Sequence, residues 1–278
     1  MLVYLNGEYL PHAEARVSVD DRGFLFADGV YEVIRVYKGR PYLLKEHIER
    51  LARGLAALEI RFHGVSELEA ISQRLIEENG IDADANIYMQ VTRGAAPRKH
   101  AFPADATPTV YASVKAIQPN PAEYYEKGVD AITTPDNRWA RCDIKTVSLL
   151  PNVLANQKAH AAGAFEALFI RDGVVLEGSH SNLFAVYDGT LVTYPKSNYI
   201  LPGITRERVL ALAQDLGIPA REGLIFADKL YDADELFLSG TTTEVMPLAR
   251  VDGRVIGAGK PGPISLRLQE AYRPDSGQ

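Results

Sequence analysis

Residues 139–160 read W-A-R-C-D-I-K-T-V-S-L-L-P-N-V-L-A-N-Q-K-A-H. Lys145 closes a short mixed segment, Cys142-Asp143-Ile144, and Thr146-Val147-Ser148 follows it. A helical apolar pattern then begins with Leu149, Leu150, Val153 and Leu154. A lysine between a strand-like piece and a helix start can be held by its backbone while its amine points into a cavity. Burial strips the ammonium of hydration and lowers its pKa. The neutral amine is a nucleophile able to form a Schiff base with a carbonyl. The plain alternative is a solvated surface charge, and only the flanking sequence can raise Lys145 above it.

Working outward, the chain has 278 residues, 46% of them hydrophobic and 24% charged. That length accommodates one large domain or two medium ones, with a real core. The net charge of -6 argues against a nucleic-acid partner, which requires a basic face. A small anionic ligand needs only a few local cations. Cys142 is the sole cysteine, so no disulfide can form within the chain, and a reducing, cytoplasmic home is expected. It reads as a structural thiol rather than a nucleophile. The first ten residues, from Met1 to Leu10, lack the basic and apolar regions of a signal peptide. No run approaches the roughly 18 apolar residues needed to span a bilayer, so no membrane partner is expected. No metal site is expected either.

Asn6-Gly7 between Leu2–Leu5 and Glu8–Leu10 predicts a hairpin, because both turn residues must take positive φ. Asp20–Gly23 reads as a loop and Val30–Tyr37 as a strand with Tyr31, Val33, Arg35 and Tyr37 on one face. Helices are predicted over Lys45–Leu58 and Glu67–Glu78, and strands over Ile87–Thr92 and Thr109–Ala116. Between these two strands lies a cationic loop, Arg93 to Pro103. Gln118-Pro119-Asn120-Pro121 disfavours helix and central strand alike, which predicts a small α/β domain over 1–118, a linker at 119–122 and a larger domain over 123–278. Three hairpins are predicted beyond it, turning at Asp172-Gly173, Asp188-Gly189 and Asp252-Gly253. A strand is expected at Glu235–Ser239, and helices from Gly203 to Leu216 and from Ile264 to Tyr272.

Several features could cooperate with Lys145. Gly203-Ile204-Thr205 stands at a helix N-terminus, where free N–H groups favour an anion, although Thr205 could be only an N-cap. Gly240-Thr241-Thr242 offers further donors. Glu177 ends a strand before a turn and could pair with a ring nitrogen, or be a solvated strand-end carboxylate. Arg98 and His100, two apart, share a face in extended backbone and suit a carboxylate, or form a solvated basic loop. Tyr31 and Arg50 add a phenol and a guanidinium, whose plain readings are a core-edge tyrosine and a surface arginine.

Taken in order, the motifs Phe26–Glu32, Glu46–Leu51, Val91–Gly94, Arg98–His100, Arg141–Lys145, Glu177–Ser179, Ser181-Asn182, Gly203–Arg206 and Thr241–Glu244 are similar to those of one family. From Tyr4 to about Tyr272 the chain resembles the fold-type IV pyridoxal-phosphate enzymes, most closely the D-amino acid aminotransferases. The resemblance implies an α/β fold of two domains, a small α/β N-terminal domain and a larger strand-rich pseudo-barrel, with the cofactor in the cleft. It implies that Lys145 carries pyridoxal 5'-phosphate and moves the proton at the substrate carbon. Glu177 would keep the pyridine nitrogen protonated, and Arg50, Ile204, Thr205 and Thr241 would hold the phosphate. Tyr31, Arg98 and His100 would bind the substrate carboxylate, and the last two point to D-amino acids. The family is usually dimeric, which implies a homodimer in which the loop bearing Arg98 and His100 reaches the partner's site. Two departures stand out: His180 replaces a serine of a serine run, and Gly240 replaces another serine.

The expected reaction is a ping-pong transfer of an amino group from a D-amino acid such as D-alanine to a 2-oxo acid such as 2-oxoglutarate. A branched-chain L-amino acid aminotransferase, an (R)-amine transaminase and an aminodeoxychorismate lyase would use Lys145 and Glu177 alike. A non-catalytic phosphate-ligand binder would use Lys145 only as a counter-ion.

Overall fold

A computed structural model describes residues 1–272. Its internal contacts divide the chain into two units, Met1–Pro119 with Ile144–Leu149, and Asn120–Asp143 with Leu150 onward. The segment carrying Lys145 therefore belongs with the first unit, although its sequence neighbours belong to the second.

In the first unit β1 (Leu2–Leu5) and β2 (Glu8–Pro11) turn at Asn6 and Gly7, with φ of 51° and 99°. The segment read as a loop holds one helical turn instead, α1 (Arg22–Phe26). Asp21 caps it by accepting from Gly23 N at 2.8 Å, and Ala27 ends it in the left-handed region. Then come β3 (Gly29–Tyr37), β4 (Arg40–Pro41), α2 (Leu44–Ala57), α3 (Leu68–Glu78), β5 (Ala85–Thr92) and β6 (Thr109–Ala116). The six strands form an antiparallel sheet in the order β2-β1-β6-β5-β3-β4. Alternation along β3 buries Val30, Glu32, Ile34 and Val36, while Tyr31, Val33 and Tyr37 on the other face stay half-buried. Leu51 and Leu55 of α2 and Leu68 and Leu75 of α3 join Val30, Ile34, Ile87 and Met89 in one core.

The second unit begins with α4 (Ala122–Lys127) and β7 (Val129–Pro135), neither of which carries a clear sequence pattern. It continues through α5 (Leu150–Ala161), β8 (Glu166–Arg171), β9 (Val174–Gly178), β10 (Asn182–Tyr187), β11 (Thr190–Thr193) and α6 (Ile204–Asp215). The remaining elements are β12 (Ala220–Glu222), β13 (Ile225–Phe226), β14 (Glu235–Gly240), β15 (Glu244–Val251), β16 (Arg254–Val255) and α7 (Pro263–Tyr272). Strands β10, β14, β15, β7, β8 and β9 pair in that order, and Asn182 opposite Glu177 joins β9 back to β10. The ring so closed is the strand-rich barrel, and it removes the exposed edges of an open sheet. Leu168, Val175, Leu183, Leu236, Leu238 and Met246 are in its apolar core.

Helix α5 differs from its apolar pattern. Leu150, Val153 and Leu154 are 69%, 58% and 57% exposed, and the buried positions are Ala155 and Ala159. The two alanines pack with Ala167 and Phe169, so the helix docks through its small side. Among the described residues no helix is long and apolar enough to cross a membrane.

Candidate active site

In the first unit β3 grips the lysine segment by its backbone. Tyr31 N donates to Lys145 O at 3.0 Å, Val147 N donates to Gly29 O at 3.1 Å, and Val30 bridges Thr146. Lys145 is thus fixed at its main chain and half-buried at its side chain, with Nζ 4.3 Å from the centroid of the Tyr31 ring.

Arg50 is not a surface arginine. It is 6% exposed, and Nε and Nη2 donate to the two oxygens of Glu32 at 2.7 and 2.9 Å. His47, one helical turn earlier on α2, places Nδ1 2.7 Å from Glu32 Oε2, and a carboxylate can only accept that proton. Burial opposes ionisation of Glu32, but Arg50 and His47 outweigh it and bring its carboxyl down to about 2. Burial also lowers His47 against the pull of Glu32. Sequence reading missed Glu32 and His47. The signal was there: Glu32 is the one charged residue in the run Val30, Glu32, Ile34, Val36 that alternation sends inward.

Arg98 and His100 lie on an exposed loop and share the ring of Phe26. Arg98 Cζ is 5.1 Å and the His100 ring 5.6 Å from its centroid. Arg98 makes no ion pair among the described residues. No hydrogen bond, ion pair or ring contact joins either residue to Tyr31 or Lys145 among those residues.

In the second unit Glu177, Asn182 and Ser239 stand in a row across β9, β10 and β14, so their side chains share one face of the barrel wall. Asn182 Nδ2 donates to Glu177 Oε2 at 2.9 Å, Leu201 N to the same oxygen at 3.0 Å, and Arg138 Nη1 to Oε1 at 2.5 Å. Arg138 divides its fork, because Nε goes to Asp136 Oδ1 at 2.9 Å and Nη2 to Tyr199 O at 3.1 Å. Burial pushes Glu177 up to about 7; Arg138 pulls it down, and Asp136 adds to the rise. Burial works against the charge of Arg138 too, yet Glu177 and Asp136 hold its proton more firmly than usual. The result is a buried carboxylate whose arginine is shared. Arg138, Asp136 and Leu201 had no motif to announce them.

Helix α6 begins against this row. A Cβ on Gly203 would collide with Asn182 Oδ1, so only glycine permits the approach. Gly203 is also the N-cap and supplies no capping side chain. Thr205 does not cap either; its hydroxyl lies 3.3 Å from that of Tyr272. Ile204 and Thr205 are buried, and Thr241 is half-buried in the turn after Gly240. Ser239 Oγ and Thr243 Oγ1, flanking that turn, are buried without a hydrogen-bond partner among the described residues. Glu166 on β8 is fully buried and held at about 2; burial resists its charge, and His180, Ser179 and Ser181 override that. His180, 3.0 Å from it, ties the turn between β9 and β10 to β8.

A family model described as amino-transferase class IV matches residues 29–251. The D-alanine aminotransferase of Bacillus licheniformis is 44% identical over 274 residues, covering 98% of this chain and 96% of the relative. That of Staphylococcus aureus strain N315 is 43% identical, covering 97% and 96%. Among solved structures, the branched-chain amino acid aminotransferase of Escherichia coli superposes with a TM-score of 0.91 at 30% identity, covering 98% of this chain and 93% of that one. The branched-chain aminotransferase of the thermophilic archaeon Thermoproteus uzoniensis, solved with norvaline, superposes at 0.89 and 31%, covering 98% and 93%.

Proposed function

The chain belongs to the amino-transferase class IV family, and on that premise we propose that it transfers the amino group of a D-amino acid to a 2-oxo acid. It is a pyridoxal-phosphate-dependent aminotransferase. D-Alanine is the favoured donor because relatives 44% and 43% identical over nearly the whole chain carry that activity in their names. A 2-oxo acid such as 2-oxoglutarate is the acceptor. A cytoplasmic homodimer is part of the same reading, supported by the single cysteine and by the resemblance to dimeric enzymes.

The residues present fit the cofactor. Glu177 carries the case: a buried carboxyl raised to about 7, whose arginine is shared with Asp136, would be stabilised in its charged form by another positive partner, and a protonated ring nitrogen is one. The uncapped start of α6 and the unpartnered hydroxyls of Ser239 and Thr243 suit a phosphate. Bound pyridoxal phosphate supplies an electron sink for the charge left when the substrate's Cα–H bond breaks.

Lys145 would hold the cofactor through its amine and then move the proton at Cα. The backbone bonds to Tyr31 and Gly29 fix where that amine starts from. Glu177 would hold a proton at the ring nitrogen, with Asn182, Leu201 and Arg138 fixing its orientation. Arg50, Ile204, Thr205 and Thr241 would hold the phosphate. Glu32 leaves Arg50 few rotamers, which is what a positioned cation requires. Tyr31, Arg98 and His100 would take the substrate carboxylate, the loop of the last two serving the partner subunit's site. With amine, carboxylate and proton placed, chirality decides whether the side chain meets space or wall.

The test is a donor screen with paired enantiomers, run on the wild type and on Arg98→Leu. Charge-assisted hydrogen bonds contribute roughly 1.5–3 kcal/mol each. Arg98→Leu should therefore lower kcat/KM for D-alanine about 10- to 150-fold and leave a simple (R)-amine little changed. A wild type that prefers L-amino acids would replace this reading with the branched-chain one, which the solved neighbours favour by shape.

A further inference from the structure

The loop from Arg93 to Phe102 carries Arg98 and His100 without regular structure to stiffen it between β5 and β6, yet its backbone is fastened from one side. Arg22, at the start of α1, is 3% exposed. Its Nη1 donates to Lys99 O at 2.6 Å and its Nη2 to His100 O at 3.3 Å. Its Nε donates to Asp28 Oδ2 at 2.8 Å. Asp28 is in turn gripped by Arg93, from Nε at 2.8 Å and Nη2 at 3.0 Å. Arg93 also donates to the carbonyls of Leu58 and Glu59, at the end of α2, and its guanidinium lies 3.6 Å from the Phe102 ring centroid. Both ends of the loop are therefore tied through one carboxylate to α1 and α2.

The charges follow the same arrangement. Asp28 serves two guanidiniums, and burial is outweighed by Arg93 and Arg22, which keep its carboxyl below the usual range. Arg98 is left without a carboxylate among the described residues. Phe26, four residues after Arg22 on the same short helix, receives Arg22 at 4.8 Å, Arg98 at 5.1 Å and the His100 ring at 5.6 Å. One aromatic ring thus sets the spacing of the two groups that point to an anionic substrate.

We propose that Arg22, braced by Asp28 and Phe26, is a positioning residue for substrate-carboxylate selection: it straps the backbone at Lys99 and His100 so that Arg98 and His100 are presented as a fixed pair. The inference rests on the reading of Arg98 and His100 as the carboxylate site. It adds that the selectivity of this pair is set by a buried arginine 76 positions away from Arg98 in sequence. Arginine is required because one planar group must reach two carbonyls and one carboxylate at once. Lysine has a single nitrogen and would keep the ion pair or the strap, but not both.

The experiment compares wild type, Arg22→Lys and Arg22→Met as the full-length protein loaded with pyridoxal phosphate, with melting temperature as the folding control. Hydrogen exchange over residues 97–103 is the direct readout. It should quicken about tenfold in Arg22→Met and by less in Arg22→Lys, because local opening no longer breaks the strap. The KM for D-alanine should rise about tenfold in Arg22→Met with kcat within about twofold, and turnover of an amine without a carboxylate should be unchanged. Unaltered exchange in a folded Arg22→Met would overturn the strap. Faster exchange with an unaltered KM for D-alanine would overturn instead the placing of the carboxylate at Arg98 and His100. Should Arg22→Met fail to fold, Arg22→Lys with wild-type exchange and KM would overturn the inference by itself.

Discussion

Each unit buries a glutamate beside an arginine, and the two glutamates end in opposite states. Glu32 receives the Nε side of Arg50's fork and a hydrogen bond from His47 Nδ1, and its carboxyl falls to about 2. Glu177 receives one nitrogen of Arg138, whose other nitrogens go to Asp136 and the Tyr199 carbonyl, and burial leaves it at about 7. Burial is nearly equal, at 0% and 4% exposure, so the partners decide. Glu32 is a finished ion pair whose task is to orient Arg50. Glu177 has only a shared arginine, and on the proposed function the protonated ring nitrogen of the cofactor would be its second cation. On the proposed function, that difference separates a residue that orients another side chain from one that meets the cofactor.

The largest expected effect is on turnover. Glu177→Gln keeps the shape and removes the charge, and should lower kcat by about 10²- to 10³-fold, the usual loss when one preorganised electrostatic partner is removed. Cofactor content, read from its absorbance, should fall far less. Undiminished turnover in this variant would erase the distinction between the two glutamates.

Glu32→Gln should act on stability first. It removes the carboxylate charge that Nε and Nη2 of buried Arg50 both donate to, which costs about 3 kcal/mol in denaturant unfolding. A stability loss no larger than that of a surface substitution would mean that Glu32 is not the settled pair described here.

Next in size is a pH dependence of opposite sign at the two sites, read as unfolding free energy of the cofactor-free protein. Glu32's folded pKa is depressed, so its contribution is present above about 4.5 and is lost as pH falls through about 2. Glu177's is raised, so its contribution is full below about 4.5 and is lost as pH rises through about 7. Glu32→Gln should flatten the acid limb only in part, since Glu166 titrates in the same window. Glu177→Gln should remove the decline between about pH 4.5 and 7. The same limb flattened by both variants would contradict the comparison.

The smallest effect belongs to Ser239→Ala. Its hydroxyl is buried and unpartnered among the described residues, so losing it should change the stability of the cofactor-free protein by under about 0.5 kcal/mol. Retention of pyridoxal phosphate under dialysis should nonetheless weaken by a few-fold. A variant that retains the cofactor as well as wild type would separate Ser239 from the phosphate.

Much of this was legible in the sequence, for reasons that differ by residue. Turns such as Asn6-Gly7 declare themselves because few residues tolerate positive φ, and the two long helices of the first unit show an apolar stripe. Strand β7 did not, since its parallel partners β15 and β8 lie far along the chain and its own pattern is short. Helix α5 misled because its conspicuous leucines face outward and its packing side is alanine. Among the proposed site residues, Lys145 and Glu177 stand within recognisable motifs. Several of their partners do not: Arg138 and Leu201 meet Glu177 only through folding, as Arg22 meets the loop of Arg98. A sequence shows which groups can react, while the groups that hold them are fixed by tertiary register.

The central claim is that Lys145 bears the cofactor. Borohydride reduction of the protein loaded with pyridoxal phosphate, followed by peptide mapping, tests it without relying on turnover. The account predicts one stable label, on the peptide containing Lys145, and its absence in Lys145→Ala. A label on another lysine, such as Lys158, or no label at all in the wild type, would contradict it.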